Sequence, residues 1–185
     1  MLRDSPYFFC AALVALELFT RRPDRSEARG RDGGTFWTMQ VLIFGSLTAA
    51  FWVWGDPRTP GLRLPAWTVA AGAGLLVVGM AIRLWAIHSL GRFFTRKVQV
   101  AADQPVVERG PYRWVRHPSY TGGILEFWAL GLSFASLWPG LLSAVVPTIA
   151  YLLRLRHEEA VLAETIGEPY RAYMGRTKRL IPFVV

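Results

Sequence analysis

Gly110-Pro111-Tyr112-Arg113-Trp114-Val115-Arg116-His117-Pro118-Ser119-Tyr120-Thr121-Gly122-Gly123 is a basic, polar stretch that runs straight into an apolar segment. Pro118 disfavours a helical backbone at His117, and its fixed φ suits a first helical residue, so a helix is predicted to start there. Such a start leaves backbone N–H groups without intrahelical partners and puts a positive dipole end at Ser119 to Thr121, able to hold a carboxylate or phosphate. His117 can donate or accept beside it, and Tyr112 and Tyr120 can stack or hydrogen-bond. The alternative is structural: His117-Pro118 caps the helix while Arg113 and Arg116 touch lipid phosphate.

Moving outward from this stretch, apolar runs of membrane length appear on both sides. Ser5 to Thr20, broken only by Glu17, predicts a first span; no small-x-small cleavage site follows to make it a signal peptide. Thr35 to Trp54 predicts a second span and Leu64 to His88 a third, whose Ala70, Ala71, Gly72, Ala73, Gly74 and Gly79 suit close helix packing in lipid. Arg83 and His88, near the inner end of that span, are expected to snorkel. Leu90 to Arg116 is the longest polar segment between spans, with Phe93 to Val100 as a short strand or extended arm. The fourth span is predicted from Pro118 to Leu137, followed by a reversal at Trp138-Pro139-Gly140 and a fifth helix from about Leu141. Helical character persists to Ile166, and Gly167 is placed to end that helix.

Composition agrees with a membrane protein. Of the 185 residues 52% are hydrophobic, and eight Trp and eleven Phe are high for a chain this short. The net charge of +8 would suit a nucleic-acid partner, but a nucleic-acid domain does not carry several long apolar runs, so basic loops against anionic lipid explain it better. One cysteine excludes a disulfide framework, and His88, His117 and His157 are too scattered for a zinc cluster. Arg greatly outnumbers Lys, which points to a GC-rich bacterial genome and hence a bacterial inner membrane.

If five helices alternate, one side holds three basic residues and the other eighteen. The positive-inside rule then sets the basic side in the cytoplasm. It also puts the Gly110–Gly123 stretch on the same face as a second cluster, Arg154, Arg156, His157, Glu158 and Glu159. Arg154 and Glu158 share a helix face, and the adjacent carboxylates could bind a cation or hydroxyls; a solvated helix face is the plain alternative. Glu126 and Glu17 lie inside apolar segments, where an ionisable group is a functional suspect.

The two clusters together resemble a known family. Gly110-x-Tyr112-x-x-x-Arg116-His117-Pro118-Ser119-Tyr120-x-Gly122, preceded by Val98-Gln99, is similar to the isoprenylcysteine carboxyl methyltransferases. So are Arg154-x-x-x-Glu158-Glu159, Gly167-x-x-Tyr170-x-x-Tyr173 and the closing Leu180-Ile181-Pro182-Phe183. The resemblance covers Leu90 to Phe183; its His-Pro-x-Tyr-x-Gly element is shared with phospholipid methyltransferases.

That resemblance implies an all-α integral membrane enzyme of about five spans that uses S-adenosylmethionine, leaving S-adenosylhomocysteine, without a Rossmann fold. The absence of a glycine-rich fingerprint agrees. Residues 1–89 would hold spans one to three, and residues 90–185 the catalytic region, its pocket facing the cytosol between the loop before helix four and the extended C-terminal helix. Carried over by position, Gln99, Gln104, Pro105, Val106, Val107, Tyr112, His117, Pro118, Ser119, Tyr120 and Glu158 would line the cofactor pocket. Arg154 would face the methyl acceptor, a lipophilic or prenylated carboxylate; no metal and no nucleic acid is implied. A lipid-amine N-methyltransferase and an NADPH-dependent membrane reductase of related architecture are the alternatives.

Overall fold

The structure is a computed structural model that describes residues 4–20, 29–30, 34–59, 62–95, 99–100 and 105–181, with side chains excepted at 29–30 and 99–100. Among the described residues six α-helices carry it: α1 (Ser5–Phe19), α2 (Thr35–Gly55), α3 (Trp67–Leu90), α4 (Pro118–Ser133), α5 (Leu137–Thr165) and α6 (Glu168–Arg176). Two residues each of β1 (Arg29–Gly30) and β2 (Gln99–Val100) pair antiparallel, so the expected arm after α3 reaches back to the loop after α1.

Large apolar side chains point away from the bundle. Phe19, Val41 and Trp52 are 82%, 69% and 71% exposed, an arrangement suited to lipid rather than water. Thr35–Gly55, Trp67–Phe93 and Leu137–Thr165 have the length and apolarity to cross a membrane. The first and fourth helices, at 15 and 16 residues, are shorter. At 1.5 Å per residue they reach about 22–24 Å against a hydrocarbon core of about 30 Å.

The connections fix which helix ends lie together. Leu64 N–H donates to Ala135 O (2.8 Å) and Leu137 N–H to Leu62 O (3.0 Å), so the α2–α3 and α4–α5 turns share one end. At the other end β1 meets β2, and Arg116 N–H and His117 N–H donate to Lys178 O (2.8 Å) and Arg179 O (3.0 Å). Both charged clusters therefore occupy one end of the bundle.

Small residues bring the central helices into backbone contact, as their composition predicts. A Cβ on Gly72 would lie 2.9 Å from Ala129 O, and one on Gly122 2.6 Å from Gly79 O, which sets α3 directly against α4. Gly131 and Gly140 do the same between α4 and α5. An aromatic cluster of Tyr7, Phe51, Trp54 and Phe134 closes the end away from the charged clusters.

One boundary differs from expectation. α4 ends at Ser133 rather than Leu137, and Trp138-Pro139-Gly140 forms the first turns of α5 instead of a reversal. The turn falls on Phe134-Ala135-Ser136, with Ala135 at a φ of 47° and Ser136 extended as the N-cap. Pro139 is tolerated because a first-turn residue has no N–H to lose. α5 continues through Pro147, and Gly167, at a φ of 76°, ends it as expected.

Candidate active site

A cavity of about 300 Å³ runs from the charged end into the bundle. Its polar end is lined by Pro105, Val106, Val107, Tyr112, His117, Ser119, Tyr120 and Glu158, with Leu162, Ile166, Tyr170 and Tyr173 opposite. Its deeper end lies between α1 and α2, among Cys10, Leu13, Val14, Phe36, Met39, Ile43, Phe44 and Leu47. Arg154 lines it too, on α5 one turn before Glu158.

The polar end is held by a clamp of short elements. Gly110 opens a 3-10 turn (Gly110–Arg113) at a φ of 60°, and a Cβ there would press on Trp85 and Ser89. Arg116 Nε then donates to Glu159 Oε1 (2.7 Å), and its Nη1 donates to Met174 O (3.1 Å) and Thr177 O. Arg179 Nε reaches the other Glu159 oxygen at 2.9 Å. Glu159, 4% exposed, thus ties the His117 loop to the C-terminal tail. Tyr173 adds a hydrogen bond from its hydroxyl to Tyr112 O at 2.6 Å.

Against that frame sits a chain of polar contacts. Arg154 Nε donates to the Tyr120 hydroxyl at 3.1 Å, and that hydroxyl donates to Glu158 Oε2. Arg154 Nη1 also donates to Thr35 Oγ1 at 3.2 Å, and the guanidinium lies 5.5 Å from the Phe36 ring centre. The His117 ring stacks on Tyr120 with centroids 5.4 Å apart. His117 Nε2 is 3.4 Å from Glu159 Oε1, an ion-pair contact when the ring is protonated, and it meets no hydrogen-bond criterion among the described residues.

Electrostatics separate the groups by role. Burial, then the Glu158 charge, pushes the Tyr112 phenol up, and burial does the same to Tyr170, so both remain neutral donors at physiological pH. Glu159 lies past Leu153, on the charged extension of α5 beyond the apolar run. Burial would raise it, but His117 and Arg116 beside it outweigh that and hold its carboxyl down at about 2. It is a fixed anion, and its oxygens are engaged by Arg116 and Arg179.

The structure gathers most of the expected residues. Pro105, Val106, Val107, Tyr112, His117, Ser119, Tyr120, Arg154 and Glu158 line one cavity, while Pro118 is buried at the start of α4 and is not part of that lining. Gln99 is described only as backbone in β2, and Gln104, Pro182 and Phe183 lie outside the described residues. The helix start offers less than expected: Tyr120 N–H and Thr121 N–H already donate to His117 O at 3.0 and 3.1 Å. Ser119 N–H has no backbone acceptor among the described residues.

Arg83 does not snorkel. Its Nη1 donates to Glu126 Oε2 (2.8 Å) and its Nη2 to Glu17 Oε2 (2.6 Å), and all three residues line the same cavity. Their separation in sequence hid them from any spacing argument; only the presence of ionisable groups in apolar runs hinted at them.

Comparison with known proteins places these residues in context. Residues 67–168 match the family described as phospholipid methyltransferase. The chain is 30% identical over 129 residues to protein-S-isoprenylcysteine O-methyltransferase B of Arabidopsis thaliana, spanning 68% of this chain and 64% of that one. It is 30% identical to the Rattus norvegicus protein-S-isoprenylcysteine O-methyltransferase over 68% of this chain and 45% of the relative. It is also 30% identical to methanethiol S-methyltransferase of Mycobacterium tuberculosis, over 79% of this chain and 63% of that one. The match therefore spans less than two thirds of each of these relatives.

Proposed function

The chain belongs to the phospholipid methyltransferase family, and from that premise we propose that it is an integral-membrane methyltransferase of lipophilic, isoprenylcysteine-like carboxylates, using S-adenosylmethionine. The observation that carries this reading is the single cavity that joins a polar end to an apolar one past Arg154. When bound, S-adenosylmethionine supplies an electrophilic methyl on a sulfonium centre.

The residues at the polar end suit that cofactor. Glu158 offers an acceptor for its amine or hydroxyls, Tyr112 a neutral phenol donor, and His117 Nε2 a nitrogen with no hydrogen bond among the described residues. Val106, Val107, Leu162 and Ile166 provide an apolar wall for a base. Arg154 presents a planar fork to the acceptor carboxylate, which is already ionised at neutral pH. The chain then needs to supply alignment rather than a base, and its Tyr120 and Thr35 contacts fix the guanidinium for that task.

A cationic amine acceptor would be repelled beside Arg154, which favours a carboxylate. In this reading residues 90–185 supply the cofactor end, and residues 1–89 much of the acceptor end, with the lipid tail between α1 and α2. In this reading the chain crosses a bacterial inner membrane five times, and the positive-inside rule supports a cytoplasmic basic end.

The test uses the purified protein in detergent. S-adenosylhomocysteine should bind saturably by calorimetry and lose at least tenfold in affinity in Glu158→Ala and His117→Ala. Unchanged binding in both would sink the site assignment. Labelled S-adenosylmethionine with a host lipid extract should yield a labelled lipid ester by mass spectrometry, and label on nitrogen instead would sink the carboxylate reading.

A further inference from the structure

Glu126 sits on α4 with its side chain 1% exposed. Its Oε2 accepts from Arg83, but its Oε1 has no hydrogen-bond partner among the described residues. Arg83 in turn gives both terminal nitrogens away, one to Glu126 and one to Glu17. All three side chains line the cavity's apolar part, and the buried Nε of Arg83 also has no hydrogen-bond partner among the described residues.

A tether between helices does not need this arrangement. α3 and α4 are already in backbone contact through Gly72, Gly79 and Gly122. A buried carboxylate oxygen left without a donor is costly unless something completes it. Tyr151 adds a further polar group: its hydroxyl lies where a Cβ on Gly123 would be, 2.7 Å away, between this cluster and Tyr120.

We propose that Glu126, with Arg83 and Glu17, is a second recognition point for the methyl acceptor, one that receives a hydrogen-bond donor carried on its lipophilic chain. The inference rests on the carboxylate-methylating reading above and names its substrate class: a long-chain carboxylate bearing a hydroxyl or amino group. Glu126 follows Tyr120 by six residues on α4, which at 1.5 Å per residue sets the donor about 9 Å along the helix from the Arg154 contact.

The experiment compares hexadecanoic acid with its positional hydroxy and amino derivatives as methyl acceptors, in detergent with labelled S-adenosylmethionine. The wild-type kcat/KM should be at least tenfold higher for the best mid-chain derivative than for the parent acid. The hydroxy and amino series separate an uncharged donor from a cationic one. Glu126→Leu should bring that ratio to about one, with Glu126→Gln, which keeps volume and one acceptor, in between. Both substrates are read on the same protein sample, so partial loss of folded enzyme cancels in the ratio. A wild-type ratio near one, or a ratio that survives Glu126→Leu, overturns the recognition point alone. Failure to methylate any of these acids while an isoprenylcysteine-type carboxylate is methylated overturns this proposal alone; failure on every carboxylate while S-adenosylhomocysteine still binds overturns the carboxylate reading and this proposal with it.

Discussion

Arg154 and Glu158, one turn apart on α5, meet through a residue of another helix: the Tyr120 hydroxyl accepts from Arg154 Nε and donates to Glu158 Oε2. The bridge couples the residue assigned to the acceptor with the one assigned to the cofactor. Its phenol reaches α5 from α4, whose start Pro118 sets and whose packing on α5 Gly131 and Gly140 allow. The Tyr120 hydroxyl stands between the two charged groups, and all three residues line the cavity.

Tyr120→Phe removes that hydroxyl with almost no change in shape. Both Arg154 and Glu158 lose a fixed partner, so methyl transfer should fall by about 10- to 100-fold in kcat/KM, on the order of 1.4–2.8 kcal/mol. The stacking on His117 should survive, and with it the thermal midpoint. Kinetics with a chosen acceptor alongside a melting curve check this, and a change under twofold would show that the bridge is incidental.

Glu159→Gln should unfold the polar end rather than merely slow the enzyme. Arg116, 7% exposed, would be left buried without its anion, a loss of about 3–5 kcal/mol. Arg179 is 45% exposed, so its share is small. The sign with pH follows from the depressed carboxyl. Its contribution is complete above the ordinary value of 4.5 and is lost as pH falls towards about 2. Wild-type melting curves in detergent should therefore drop across that interval, while Glu159→Gln starts lower and lacks that part of the slope. Parallel curves would remove Glu159 from this role.

How far the sequence could reveal this depended on how local each cause was. Pro118 and Gly167 act on their own backbone, so the start of α4 and the end of α5 were readable. Gly72 and Gly79 announced close packing without naming α4 as the partner. The α4–α5 turn was misplaced because Trp138-Pro139-Gly140 has turn-forming residues, whereas the turn uses a left-handed Ala135 that no composition marks. Glu158 and Glu159 looked equivalent as neighbours. On a helix they diverge by about 100°, so one enters the cavity and the other the scaffold. Arg83 was misread because its partners lie 66 and 43 residues away.

Arg154→Lys tests whether the acceptor end needs a planar fork. An ammonium keeps the charge but cannot bind a carboxylate through two parallel bonds while also holding Tyr120 and Thr35. The KM for a carboxylate acceptor should rise and kcat/KM fall at least tenfold, about 1.4 kcal/mol, with S-adenosylhomocysteine affinity changing less than threefold. A loss confined to S-adenosylhomocysteine binding would move Arg154 to the cofactor.

Gly122→Ala and Gly74→Ala add the same methyl group to glycines with opposite surroundings. At Gly122 the new Cβ would lie 2.6 Å from Gly79 O and 2.8 Å from Arg83 Cβ, so α3 and α4 must separate. Forcing them apart should cost about 1–3 kcal/mol. Because Arg83 is anchored at that crossing, the shift should also disturb the Glu126 contact. At Gly74 nothing lies within 4 Å, and the substitution should be neutral or stabilise α3 by up to about 1 kcal/mol. Melting curves of the two variants in one detergent give the comparison directly. Equal midpoints would mean that α3 and α4 do not meet backbone to backbone, and the position of Arg83 over the cavity would fall with that contact.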